Sequence, residues 1–170
     1  MKTNTIDNIL KFLETKENKK IPQEWVDLKP MNSLIEKFEN HPDGVQYRHE
    51  GDFDLSGSKN RRIRNVLPND LYVHGTLWLS KPTKLPDKLH VEGHLLIWDS
   101  NIRELPDNLH VGYDLSLLNT NISELPNKLF IGGDLFIENT TLAEKYTNEE
   151  IIEMITSKGG QINGKIRRAF

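Results

Sequence analysis

Twenty residues separate His90 from His110, and the same interval separates Asp114 from Asp134. In a chain that repeats, residues at the same point of successive repeats stand side by side. Two imidazoles placed so could share a metal ion, and two carboxylates could share a proton. Neither constellation is complete. No carboxylate or third histidine joins His90 and His110, and His74 and His94 fall at other points of the repeat. Asp52, Asp114 and Asp134 recur beside a glycine, as the acid of a repeated turn would. General acid–base work needs one unequal pair in a pocket, not a regular row. Gly-x-Ser-x-Gly, His-Glu-x-x-His, P-loop and dinucleotide patterns are missing. The absence of cysteine removes a disulfide framework, a zinc–thiolate site and a thiol nucleophile. The expectation is a non-enzymatic protein without metal or cofactor.

The elements that hold these residues come from one phrase stated four times between Leu67 and Leu142. It runs Leu-Pro-x-x-Leu-x-Val-x-Gly-x-Leu-x-Leu-x-x-Thr-x-Ile and is plainest in LPDNLHVGYDLSLLNTNI. A fixed period of this length marks a solenoid, whose coils bury their apolar side by stacking. Gly51 to Ser58 aligns with Gly133 to Thr140 and adds a degenerate fifth coil, with SGSKNRRIRN as an insertion after it. The coil from Leu67 is two residues short, because Pro82 and Lys84 stand where Ser or Thr and Ile are expected.

Alternation within a coil places Leu109, Val111, Leu115 and Leu117 inside, with the period of a strand. Gly75, Gly93 and Gly133 mark a bend where a side chain would crowd, and Tyr113 breaks that rule. Ser58, Ser100, Thr120 and Thr140 can bond backbone groups in the following turn and stack as a hydroxyl ladder. The positions between the buried ones face outward and form columns along the solenoid. One column reads Asp54, Trp78, Leu96, Ser116, Phe136, and its neighbour Ser56, Ser80, Trp98, Leu118, Glu138. Another reads Tyr72, His90, His110, Phe130. Trp78, Leu96, Trp98, Leu118 and Phe136 thus share an outward face. Large apolar clusters on a surface mark contact sites, and tryptophan is enriched in binding hot spots. The same face could instead be covered by terminal helices or by a twin subunit, leaving monomer and homodimer both open.

Two basic clusters suggest nucleic acid as the alternative partner: Lys59, Arg61, Arg62 and Arg64 in the insertion, and Lys165, Arg167 and Arg168 near the end. A net charge of −3 gives no overall basic bias, and the clusters fall near opposite ends of the solenoid. Residues 1–20 lack the apolar run of a secretory signal, and no stretch approaches a membrane span, so a soluble cytoplasmic protein is expected.

Flanking the repeats, the expectation is α+β: a helical N-terminal cap over 1–50, the solenoid over 51–142, and a helix-and-strand C-terminal cap over 143–170. Ile6, Ile9, Leu10 and Leu13 have helical spacing over about residues 5–16, and Leu34, Ile35 and Phe38 form a second helix opened by Ser33 and Glu36. His41-Pro42-Asp43-Gly44 turns the chain. Thr147 and Glu150 make a capping box ahead of the stripe Ile151, Ile152, Ile155, which Gly159 ends. The tail QINGKIRRAF reads as a short strand or hairpin.

Leu115-x-Leu117-x-x-Thr120-x-Ile122, followed by Leu125-Pro126, resembles the leucine-rich-repeat core of the short bacterial Leu-Pro class, with Thr or Ser in place of Asn. The resemblance covers about residues 51–142. The Val/Ile-Gly-Gly-Asp-Leu variant is similar to short proteins of bacteriophages and their hosts. What the resemblance implies is a parallel solenoid that recognises one protein, such as a phage-encoded inhibitor acting on a host protein in the host cytoplasm. Secreted effectors of the class carry a ubiquitin-ligase domain with a cysteine nucleophile, and that activity does not carry over to a chain without cysteine.

Overall fold

The computed structural model describes residues 40–41, 44–45, 47–61 and 63–168. The helices expected within 5–16 and 33–38, and Arg62, lie outside the described residues. A short antiparallel pair joins β1 (Asn40–His41) and β2 (Gly44–Val45), and Pro42 and Asp43 of the expected turn lie outside the described residues. Everything after it is parallel. Each coil supplies one strand to each of two sheets. The first sheet holds β3 (Tyr47–His49), β5 (Leu71–Val73), β7 (His90–Val91), β9 (His110–Val111), β11 (Phe130–Ile131) and β13 (Gln161–Ile162). The second holds β4 (Phe53–Asp54), β6 (Leu77–Ser80), β8 (Leu95–Ser100), β10 (Leu115–Thr120), β12 (Leu135–Phe136) and β14 (Ile166–Arg167). The Leu-Pro units make about four turns of a parallel β-solenoid, and a further strand pair extends the sheets at each end.

The interior is a stack of aliphatic columns. Leu89, Leu109 and Leu129 form one, Val91, Val111 and Ile131 the next, then Leu95, Leu115 and Leu135, then Ile97, Leu117 and Ile137; all are fully buried. Burying one such side chain contributes about 1.5–3 kcal/mol. The strands are short because each coil must bend twice to close around this narrow core.

The glycine bend is crowded by the preceding coil more than by its own curvature. A methyl on Gly93 would sit 2.6 Å from the Gly75 carbonyl oxygen, and one on Gly75 would sit 2.5 Å from the Gly51 carbonyl carbon. At Tyr113 the demand moves back one residue. There Gly112 packs against the Glu92 carbonyl, where a methyl would overlap it, and the Tyr113 side chain swings out to solvent. The acids beside the bend stitch one coil to the next. Asp52, Asp114 and Asp134 each use Oδ1 to accept a backbone N–H of the following coil, from Thr76 (2.8 Å), Asp134 (2.7 Å) and Lys165 (2.7 Å).

The hydroxyl ladder takes a different form from the one expected. Ser100, Thr120 and Thr140 are buried. Thr120 Oγ1 donates to the Leu117 carbonyl and Thr140 Oγ1 to that of Ile137, both at 2.8 Å, and Ser100 Oγ donates to Pro82. As expected, Ser100 and Thr140 also accept from the following turn, from the N–H groups of Ile102 and Ala143. Apart from the Ser100 bond to Pro82, the coil-to-coil ladder belongs to the exposed neighbours, where Asn119 donates to Asp99 and Asn139 to Asn119 at 2.9 Å. Ser58 leaves the column altogether, since it opens a 3-10 turn (Ser58–Asn60) in the insertion.

After Thr140 come α1 (Thr141–Lys145) and α2 (Asn148–Ser157). Thr147 and Glu150 form the expected reciprocal capping box, and Gly159 at φ +74° closes the helix. Ile151 and Ile155 are buried, but Ile152 faces solvent, because a residue next to Ile151 is turned ~100° away from it. The tail is no hairpin. Ile162-Asn163-Gly164-Lys165-Ile166 repeats the Val-x-Gly-x-Leu phrase and pairs in parallel with the last full coil, one strand in each sheet.

Two corners of each turn rest on left-handed backbone without glycine. Asp70, Lys88, Asn108 and Lys128 occupy one such column, and Lys81, Asp99, Asn119 and Asn139 the other, all with φ between +53° and +60°. Asn and Asp tolerate this region, but a side chain such as lysine carries a cost of about 1–2 kcal/mol there. Lys128→Gly should therefore raise the thermal midpoint, with a gain of about 0.5 kcal/mol after the entropy of glycine is deducted. Lys128→Val should lower stability by roughly 1 kcal/mol or more, because a β-branched residue fits this backbone worst. Urea titration of the two variants checks both signs.

Candidate functional site

Strand register decides which outward residues meet. Trp78 pairs with Asp54 on one side and Leu96 on the other, Leu96 with Ser116, and Ser116 with Phe136. In the adjoining column Trp98 stands between Ser80 and Leu118. Parallel strands lie ~4.8 Å apart, so Trp78, Leu96, Trp98, Leu118 and Phe136 form one contiguous patch on the second sheet. Each is half-buried, and Ser116, enclosed among them, is buried despite its outward position. Opposite charges bracket the main column. At one end the Ser56 hydroxyl and N–H hold the Asp54 carboxyl below its usual range, and at the other Arg167 pairs with Asp134.

On the first sheet the outward column is a stack of rings. Tyr72, His90, His110 and Phe130 lie in successive strands with centroids 4.1, 4.0 and 4.5 Å apart and planes within 9°. Arg48 lies over the far face of Tyr72, 5.3 Å from its centroid. Parallel rings aim their nitrogen lone pairs in parallel directions, which does not converge His90 and His110 on one ion. Among the described residues no three His, Asp or Glu side chains are grouped to hold a metal. Burial, helped by the neighbouring His110, pushes the His90 imidazole down to about 4, and burial lowers His110 as well. At neutral pH both rings are uncharged and stack as hydrocarbon would. Burial and the Glu92 carboxylate push the Tyr72 phenol up to about 12, so it remains a donor, and it gives its hydrogen bond to Glu92.

The bend between the sheets gathers polar groups that the repeat pattern alone did not single out. Glu92 accepts from Tyr72 and lies 3.2 Å from His74 Nδ1, while Glu50 lies 3.4 Å from His74 Nε2. That second contact is within ion-pair reach but poorly aligned as a hydrogen bond, leaving Nε2 enclosed without a partner. His94 Nδ1 sits 3.2 Å from Asp114 Oδ2 and faces the Asp114 N–H. The signal that could have found this corner was Tyr113, the break in the glycine column.

The basic clusters disperse. Arg64 is buried, and its Nη1 donates to the carbonyls of Leu55 and Gly57 at 3.0 Å, which fastens the insertion to the coil it interrupts. Arg167 Nε holds Asp134 at 2.8 Å, and Arg168 donates to Asn148, Ala143 and Tyr146. Lys59, Arg61 and Lys165 are exposed. The insertion follows β4 and the tail contains β14, at opposite edges of the second sheet. Arg64, Arg167 and Arg168 are thus engaged within the fold, while Arg61 is exposed.

No helix among the described residues is long and apolar enough to cross a membrane. Comparisons of the chain with protein-family models, with curated proteins and with solved structures find no match. The architecture itself defines the class, a short parallel β-solenoid with an aromatic patch on one sheet and a ring stack on the other.

The ring stack has a pH signature. With the folded His90 near 4 and the unfolded imidazole at its ordinary 6.5, the unfolded chain binds protons that the folded one refuses. Stability should be fully present above about pH 6.5 and fall as the pH drops toward 4. Tyr72 and His110 stack on the two faces of the titrating ring, and the Glu92 and His74 charges act on it from the bend. His90→Phe should keep the stack and flatten the decline, as read from thermal midpoints measured between about pH 7 and 4.5.

Proposed function

We propose that this solenoid is a non-enzymatic module that holds one protein partner against the patch formed by Trp78, Leu96, Trp98, Leu118 and Phe136. The observation that carries this reading is strand register: five large apolar side chains on adjoining columns of a stiff parallel sheet, bracketed by charge. A stiff sheet costs little ordering on association, so aromatic anchors convert burial into affinity efficiently. Asp54 and the other rim charges set orientation more than strength. The mode of action in this reading is occlusion or scaffolding.

The finer reading follows the Leu-Pro repeat. In it the chain is a leucine-rich-repeat-like protein of the bacterial and phage type, working in the host cytoplasm as an inhibitor or modulator of a host protein. The helices after Thr140 serve as part of a C-terminal cap. Tyr72, His90, His110 and Phe130 meet a partner by their edges, because their faces are taken up by one another.

Trp98→Glu tests the reading. It should leave the circular dichroism spectrum intact, and a partner captured by the wild type and then purified should bind the variant about 30-fold more weakly, the cost of losing one hot spot. A variant that fails to fold would assign the patch to the core. A dimer mass that light scattering finds in the wild type and loses in the variant would assign it to self-association.

A further inference from the structure

At the bend between the two sheets lies an open cleft of roughly 640 Å3. Gly75 and Gly93 form its floor, Glu92 and His74 one wall, and His94 and Tyr113 the other. The floor is bare backbone, since Gly75 and Gly93 carry no side chain. The far wall is high because Tyr113 occupies the position that is glycine at Gly51, Gly75, Gly93, Gly133 and Gly164. Tyr113 is 61% exposed, the most exposed large apolar side chain among the described residues. Its ring is backed by His94 at 5.3 Å, which leaves the other face free. Nothing in the packing of the coil requires it.

The charge of the cleft has one sign. Glu92 is held ionised, since the Tyr72 hydroxyl and then His74 lower its carboxyl below the usual range, yet nearly half of its side chain remains exposed. Asp114 lies beside His94 on the Tyr113 side. No lysine or arginine is among the lining residues. An exposed aromatic ring and an ionised carboxylate lining one cleft match a planar cation. A guanidinium can lie flat on the ring while its N–H fork reaches the carboxylate, whereas an ammonium, a compact point charge, has neither the flat face nor the fork.

We propose that this cleft is a guanidinium-binding site that receives an arginine side chain of a partner polypeptide. The donor is a polypeptide because the cleft is open and lies between the ring stack of one sheet and the tryptophan patch of the other. A chain crossing the corner would drop a side chain into it. The site is independent of the tryptophan patch, and either can fail without the other.

The probe is N-acetyl-arginine N-methylamide, titrated into the full chain at about pH 7.5 and followed by amide and aromatic NMR shifts. Saturable shifts are expected at Tyr113, His94 and Gly93, with millimolar affinity. Tyr113→Ala and Glu92→Gln should each weaken binding by about three- to fivefold, the range of an exposed cation–aromatic or charge contact. The corresponding lysine derivative should bind less well. Tyr113 is exposed enough for its truncation to leave amide dispersion unchanged, so the test stands even if Glu92→Gln disturbs the bend. The proposal is overturned if the arginine probe gives no saturable shift, if both variants bind it as well as the wild type, or if a neutral methyl glycoside shifts the same resonances instead.

Discussion

The close approach of one coil's backbone to the next is the constraint from which the rest follows. At the bend the Gly93 N–H donates to the Gly75 carbonyl at 3.0 Å, the Tyr113 N–H to Gly93, the Gly133 N–H to Tyr113 and the Gly164 N–H to Gly133. This line of bonds allows no extra atom between coils where glycine stands, and so it sets a common register for both sheets. Once register is common, like residues must lie on like residues. Aliphatic side chains then form unbroken buried columns, Asn amides donate down the exposed corner to Asp and Asn oxygens, and four rings stack almost parallel. The column is thus the unit on which side chains act, and a substitution is felt by the coils above and below.

Local exceptions are tolerated where a neighbour absorbs them. Tyr113 is accommodated because Gly112 takes over the close contact, and the two-residue deletion before Leu85 leaves the strand register intact while shortening the return path. Arg64 plays the same part for the insertion. Its guanidinium replaces, with three carbonyl contacts, the strand bonds that the interrupted coil lacks. A residue that reads in the sequence as part of a basic cluster is, through its Nη1, an internal fastening.

The period made most of the architecture legible. Leu109, Val111, Leu115 and Leu117 could be placed inside, and the outward columns could be written down residue by residue, because a strand has a period of two and the coil a near-constant length. Side-chain bonding was less legible. Nothing in a list of columns says that Thr120 would turn to its own coil while Asn119 reached for the next. The left-handed corners were missed since lysine at Lys81, Lys88 and Lys128 gives no conformational signal, although Asn108, Asn119 and Asn139 in the same columns do. A strand was expected in the tail, but its parallel pairing onto both sheets was missed for another reason. The α2 helix intervenes between Ile137 and Ile162, so the interval that announces every other coil is stretched, and only the short phrase Ile162-x-Gly164-x-Ile166 remains to mark it. The cleft at the bend depends on an irregularity, and a period describes regularity alone.

The row of acids beside the bend has an end, and that end has a direction. Asp114 receives an N–H from Asp134, Asp134 receives one from Lys165, and Lys165 has no carboxylate to offer in its turn. Arg167, next to it, turns back to neutralise Asp134. A further coil arriving from another molecule would find an ammonium where its amide needs an acceptor. Parallel sheets with open margins are the raw material of fibres, and charge at the margin is a known safeguard against them. Here that charge sits in the same register that builds the solenoid.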